Sequence, residues 1–445
     1  MYGASGKKRK LNGLNVNSVS VVPPSLQYAR DIPEAIDADA RILKCTPTIG
    51  NQNVSPGGQI IFEFASSDIY DFRRAVLYFT AVTNGGGTFN RFPMFMSGIF
   101  SRMYVVFDGL TVEDIVNYGH IATLLEARFQ TINSAVALNP VQGVGTTPTF
   151  AESYFALMTG GFLSEATRDA IDTTNTRYAI PIHLASLTQK PIPLQFARGS
   201  KLQIFMYLDT AANVLESDNG AATFTLSNIE MHVPVYNVSD LVFQQIFGNS
   251  LDEGPVVIRF PYWWSNQTSF TGSEINLQIT QKTQNMKGAM LVVRLPAALN
   301  TLATKNKKYA SRFATNTKYS MRINNVNIPP DNIDATQGVI PFYHYMHFGD
   351  RWRAYNGNDI STTATITATN WVADSTEGCY LQCVDLESFP DSTAVSGKDT
   401  ETMTSQAEFR SSVANATYIL DLWVLTEAVL MMKKKGDKIC WEVNY

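Results

Sequence analysis

Charge is what this chain has least of. Asp, Glu, Lys and Arg make up 17% of its 445 residues, against about 25% in ordinary soluble domains. Acids and bases nearly cancel, at a formal net charge of −4. That excludes a surface given over to nucleic acid, which needs a basic field. Long apolar runs are missing too: no uncharged stretch approaches the ~18–20 residues that cross a bilayer as a helix. The opening MYGASGKKRKLNG has a basic cluster with no apolar segment behind it, so no secretory leader is legible and the expected compartment is cytosol or nucleus. Cysteines number four. Cys379 and Cys383 are the close pair, at C-x₃-C in an extended run without a second ligand pair. They read as free thiols rather than a zinc site or a disulfide framework.

Catalytic signatures are equally scarce. There is no nucleophile elbow, phosphate-cradling loop or dinucleotide fingerprint. Gly85-Gly86-Gly87 follows a strand but lacks the Lys-Ser/Thr of a phosphate loop, and reads as a hairpin tip. Of the five histidines, His344 and His347 share HYMH without the glutamate of a metalloprotease helix. Asp385 and Glu387 alternate along a strand, as glycosidase carboxylates do and as ordinary surface polarity also does. No enzyme, cofactor or metal site is expected.

What the chain does have is aromatic residues, at 11%, set among Asn, Thr and Ser. Few charges with many aromatics is the composition of subunit interfaces. The length suits two domains. The stretch that organises the chain is 201–238. Leu202, Ile204, Met206 and Leu208 alternate with Gln203, Phe205 and Tyr207, the period-two mark of a strand with one set of side chains on each face. After a Gly-containing loop, Phe224 and Leu226 open a second run through Ile229, Met231, Val233 and Val235. Its apolar parity changes at Ser227-Asn228, as at a bulge.

In chain order, residues 1–50 read as a flexible arm, with Lys7, Lys8, Arg9 and Lys10 as a candidate nuclear-import or nucleic-acid handle, or else a solvated tail. A first domain is expected over 51–238. Its strands include 59–64, 74–82 and 102–107, the last running into the Asp108-Gly109 turn, followed by one helix over 112–130. A second domain over 239–445 repeats the order. Lys318–Ile323 meets Asn324-Asn325, VNIPPDNI parallels LTVEDI, and IPFYHYMHF takes the helix position. The run at 378–389 answers 178–187, and 417–425 answers 201–208. Offsets of about 216 and about 200 residues in the same order indicate a duplication, so the two turns should hold equivalent places. Lys433-Lys434-Lys435-Gly436 reads as a solvated hairpin tip.

Many short strands, few helices and long connections indicate an all-β chain of two tandem jelly-roll sandwiches with short helical insertions. YAIPIHLASLTQKPIPLQFARGSKLQIFMYLDT followed by FTLSNIEMHVPVYNV resembles the end of the first jelly roll in double jelly-roll major capsid proteins of double-stranded DNA viruses, of the adintovirus, Polinton-like and virophage type. CVDLESFPDSTAVSGKDTETM and LWVLTEAVLMMKKKGDKICWEVNY resemble the second roll's closing strands. The resemblance implies a major capsid protein whose homotrimers form pseudo-hexagonal capsomers tiling an icosahedral shell around DNA. It implies contacts with neighbouring capsomers, penton and minor or cement proteins. It also implies an arm facing genome or internal membrane, and a virion location after synthesis in the host cytoplasm, with import to the nucleus open. Phe342, Tyr343, Tyr345, Phe348 and Trp352 are the candidate trimer-interface aromatics. Two other classes stay open: a carbohydrate- or receptor-binding sandwich, for which Tyr262, Trp263 and Trp264 are the best cluster, and a single jelly roll with a projecting domain.

Overall fold

Alternating side chains build the first half. In the computed structural model, Leu202–Leu208 buries every second residue against the core, and Val76–Asn84 does the same with Leu77, Phe79 and Ala81. The structure describes residues 10–11, 14–15, 38–50, 53–65, 68–85, 90–93, 96–129, 176–194, 201–238, 254–296, 299–300, 302, 318–334, 340–341, 343–344, 348, 381–387, 397–403, 406–435 and 438–445.

The first half contributes β1 (Ala38–Cys45), β2 (Gln59–Phe64), β3 (Val76–Asn84), β4 (Phe100–Phe107), β5 (Leu110–Val116), α1 (Tyr118–Phe129), β6 (Thr176–Pro181), the one-turn α2 (Ala185–Thr188), β7 (Leu202–Leu208) and β8 (Thr223–Val238). All pair antiparallel. One sheet runs β1-β8-β3-β6 and the other β2-β7-β4-β5. Labelled B to I in chain order, these are the B-I-D-G and C-H-E-F sheets of a jelly roll. The parity change in β8 is a real bulge: its register against β3 shifts between Ser227 and Glu230, and Asn228 takes a positive φ of 50°.

The second half contributes β9 (Val256–Ile279), β10 (Met286–Arg294), β11 (Lys318–Ile323), β12 (Val326–Asp334), β13 (Gln382–Asp385), β14 (Ala407–Lys435) and β15 (Lys438–Asn444). Here two strands do the work of four. The start of β9 pairs with the end of β14, from Val256 opposite Met432 to Thr271 opposite Thr417, and its end pairs with the start of β14. β10 and β13 extend the first pairing, and β11 and β12 the second. B-I-D-G and C-H-E-F are therefore both present again, with B running into C and H into I. The bend in β9 falls at Gly272, where φ is 147° and an added Cβ would lie 3.0 Å from the Phe270 ring. Only glycine takes that backbone at so tight a place.

Both two-residue turns join E to F. Asp108 and Gly109 have φ of 48° and 85°, and Asn324 and Asn325 have 49° and 65°, positive at both central residues as a type I′ hairpin requires.

Three expectations change. The arm does not extend to residue 50, because Ala38–Cys45 is the first strand of the first roll, laid along Met231–Val238. It was hidden because it is an edge strand with a mostly exposed face. The helix does not begin at Val112: Leu110–Val116 is a strand, and the helical turn starts after Asn117, whose φ is 57°. Val112, Ile115 and Ile121 mimic helical spacing across that junction. Thr417–Leu425 answers β8, not β7, since the counterpart of β7 is the start of β14. No turn residue marks the passage from one to the other, so the sequence reads as a single strand. In the aromatic segment after β12, Ile340, Pro341, Tyr343 and His344 are helical, at the place of α1.

Candidate functional site

The residues with unusual environments gather where the two rolls meet. Among the described residues β5 is the edge strand of its sheet, and the outward carbonyls of such a strand need partners from elsewhere. The second roll supplies them as hydroxyls. Tyr445 Oη donates to the Val112 and Thr111 carbonyls at 3.2 Å each, Tyr262 Oη to that of Asp114 at 3.0 Å, and Ser265 Oγ to that of Val116 at 3.2 Å. Residues 112, 114 and 116 are two apart, the spacing of one strand edge. The Tyr262 and Tyr445 rings meet edge to face at 5.1 Å, and Trp441 lies 4.7 Å from Phe107. Elsewhere on the seam Ser217 N donates to the Leu302 carbonyl at 2.7 Å and Asn300 N to Asn213 Oδ1 at 2.8 Å.

Two buried polar groups flank this joint. Glu113, with no exposed surface, accepts from Ser186 Oγ at 2.6 Å, Ser186 N at 2.8 Å and Ala185 N at 3.0 Å, which ties β5 to the first turn of α2. Burial pushes its carboxyl up to about 7, against the pull of those donors. On the other side, Asp421 of β14 accepts from Arg294 Nε and Gln267 Nε2, each at 2.6 Å. Burial alone would raise Asp421, but the Arg294 charge, with His120 and Gln267, overrides it and holds the carboxyl below its ordinary range. Trp423 Nε1 donates across the seam to His120 Nδ1 of α1 at 3.3 Å. The arrangement positions and locks, and presents no nucleophile–base pair. Among the described residues, no group of His, Cys, Asp and Glu could hold a metal ion.

Of the basic cluster, Lys7, Lys8 and Arg9 lie outside the described residues. Lys10 begins a two-residue strand, Lys10–Leu11, paired with Leu14–Asn15. Phe342, Tyr345 and Trp352 are also outside them. Tyr343 is exposed, but Phe348 is buried at 1%, 6.1 Å from Trp263 and against Gly288, where an added Cβ would stand 2.7 Å from its ring. Phe348 therefore belongs to the chain's own core and is withdrawn from the interface set. Trp263 and Trp264 pack on the core as well, and Tyr262 is engaged by the first roll, so the cluster is a joint rather than a sugar platform. Cys383 is buried. Sequence reasoning missed Glu113, His120, Trp423 and Tyr445. One signal was available for Glu113, an acid set between Val112 and Ile115 on a stretch otherwise bound for the core.

No protein-family model and no curated protein matches the chain. Solved structures do. The capsid of the virus PBCV-1 aligns at a TM-score of 0.59 and 10% identity, over 94% of this chain and 99% of that one. The Sputnik virophage structure gives 0.52 and 13%, over 98% and 95%. The mavirus major capsid protein gives 0.50 and 10%, over 100% and 97%. With two B-to-I rolls side by side and capsid structures aligned along nearly its whole length, the chain has the double jelly-roll fold of the major capsid proteins of double-stranded DNA viruses and virophages.

Proposed function

We propose that this chain is a major capsid protein whose homotrimers form pseudo-hexagonal capsomers that tile an icosahedral shell around a double-stranded DNA genome. The observation that carries this is the pair of like rolls held edge to edge by one chain. Three two-lobed copies in a ring present six similar lobes, the shape a hexagonal lattice accepts, and a rigid joint between the lobes is what such a ring needs. The alignment with capsid proteins over almost the full length of both partners supports the same reading. Its two domains divide near residue 239. Its partners are further copies, neighbouring capsomers, the penton and minor or cement proteins, and its place is the virion, after synthesis in the host cytoplasm.

The basic cluster Lys7–Lys10 lies on the particle's inner side, against genome or internal membrane. Four charges neutralise few phosphates, so the arm tethers rather than packages. The test is expression of the full chain, with light scattering for a mass three times 49.3 kDa and electron microscopy for six-lobed capsomers. A chain that stays single at micromolar concentration overturns the reading. Charge reversal at Lys7–Lys10 should leave trimers intact while impairing nuclear accumulation, lattice closure or genome content. If all three survive, the cluster is a solubility tail.

A further inference from the structure

The outward faces of the two C-H-E-F sheets share a register and differ in chemistry. In the first roll one row across strands C, H and E is Ile61, Phe205 and Tyr104, and the next is Gln59, Tyr207 and Arg102. Counted from the two E–F turns, the same rows of the second roll hold Asn276, Arg410 and Ser320, then Glu274, Ser412 and Lys318.

The first face is filled by its own side chains. Tyr104 stacks on Phe205 at 4.5 Å, the Tyr207 hydroxyl accepts from Gln59 Nε2 at 2.8 Å, and Arg102 lies over the Tyr104 ring while paired with Asp114. On the second face serines replace Tyr104 and Tyr207, and arginine replaces Phe205. The shorter side chains leave a cleft of about 230 Å³, many times the about 10–15 Å³ that one water needs. The F strand walls it. Tyr319 pairs with Ile333 and Met321 with Ile328, so residues 329–332 all stand opposite Ser320. In β5 only Val112 is in excess at the corresponding slip.

We infer that this cleft binds an acidic sugar, a single uronic or sialic acid ring, with its carboxylate toward β11 and its hydroxyls toward β9. Charge and hydrogen bonding divide that way. Glu274 on strand C and Lys318 on strand E flank strand H, about 10 Å apart at the spacing of strands. Both are exposed, and neither side chain has a partner among the described residues. Arg410 gives Nε and Nη2 to Glu408 at 2.9 and 2.5 Å, which leaves Nη1 to donate elsewhere. An adjoining hollow that shares Arg410 and Asn327 adds Arg322 to the cationic side. Lys318 and Arg410 therefore suit a carboxylate. The Glu274 carboxylate and the amides of Asn276, Asn327 and Asn332 ask for groups that both donate and accept, as sugar hydroxyls do. A bare phosphate brings mostly acceptors and is repelled by Glu274, and one carboxylate is too few for a hard cation.

Saturation-transfer NMR on the full chain tests this, with methyl β-glucuronide and methyl α-N-acetylneuraminide against methyl β-glucoside, which lacks the carboxylate. An acidic glycoside should bind in the millimolar range and the glucoside at least about tenfold more weakly, the loss expected of one charge-assisted hydrogen bond. Lys318→Ala should weaken the acidic glycoside by the same factor and leave the glucoside unchanged, whereas Asn276→Ala should weaken both. Both positions are exposed, so the thermal midpoint should stay at the wild-type value; if Lys318→Ala shifts it, Lys318→Gln gives the same loss. Lys201→Ala, an exposed cation on the first roll's face, should change nothing, and equimolar phosphate should not compete. Silence from both acidic glycosides, a glucoside that binds as well, binding that survives Lys318→Ala and Asn276→Ala, or full displacement by phosphate overturns the site. None of these readouts needs assembly, so their failure leaves the capsomer reading standing.

Discussion

Replacing Glu113 by Gln should abolish one specific part of the protein's pH dependence. The carboxyl has no exposed surface and its proton is held to about pH 7 in the fold, against an ordinary value of 4.5. The folded state therefore binds more protons than the unfolded chain between those values, and stability falls as pH rises through them. The contribution is complete below 4.5 and gone above about 7. At about 1.4 kcal/mol per pH unit, the swing across that window is about 3 kcal/mol. Glutamine stays neutral throughout, so the gap in unfolding free energy, wild type minus Glu113→Gln, should shrink by that amount from about pH 4 to about pH 8. Urea denaturation at matched protein concentration measures it. Other titrating groups cancel in the difference. Ser186→Ala adds a second leg: it removes a donor that pulls the Glu113 carboxyl down, so the upper end of the window should move to higher pH while its lower end stays. Parallel profiles for wild type and Glu113→Gln would refute the reasoning.

Asp421→Asn leaves the Arg294 guanidinium buried without its counter-charge and should cost about 3–5 kcal/mol, whereas Asp421→Leu with Arg294→Leu should recover most of it; urea midpoints decide, and an Asn variant as stable as wild type counts against the pair. Phe348→Ala should cost about 3–5 kcal/mol by opening a cavity against Trp263, while Tyr343→Ala, at an exposed site, should change single-chain stability by less than about 0.5 kcal/mol. Tyr262→Phe removes the donor to the Asp114 carbonyl and should cost about 1–3 kcal/mol, with faster amide exchange along residues 110–116 as the local sign.

Period-two patterns located most of the strands because their buried faces are nearly continuous. Leu202, Ile204, Met206 and Leu208 are each buried at 2% or less, and the parity slip at Ser227-Asn228 marked a bulge to within a residue. The I′ turns were legible because positive φ at two successive residues selects Asp-Gly or Asn-Asn. Two kinds of feature were not. Edge strands such as β1 bury only part of one face, so Ala38–Cys45 carries little alternation and reads as tail. Strands that cross from one sheet to the other without a turn, as β9 and β14 do, hide their own boundaries, which is why 417–425 was matched to the wrong partner. The joint was harder still. Tyr262, Ser265 and Tyr445 act through hydroxyls on main-chain carbonyls, a contact to which any strand edge can be party and which no residue pattern announces. Glu113 was visible as an acid but was read as the start of a helix.

The way the F edges are finished explains why the two rolls touch through side chains at all. An unpaired strand edge invites another strand, and such pairing would let sheets grow without limit. On β5 the outward carbonyls are taken by three hydroxyls of the second roll, which satisfy the acceptors yet offer no ladder for a further strand to join. On β12 the same stretch holds Pro329 and Pro330, which remove two donors. One edge is closed by cover and the other by composition. Tyrosine reach then sets the spacing between rolls, where a shared ladder would fuse them at about 4.8 Å into one sheet. The rolls stay two sandwiches joined through side chains rather than one continuous sheet.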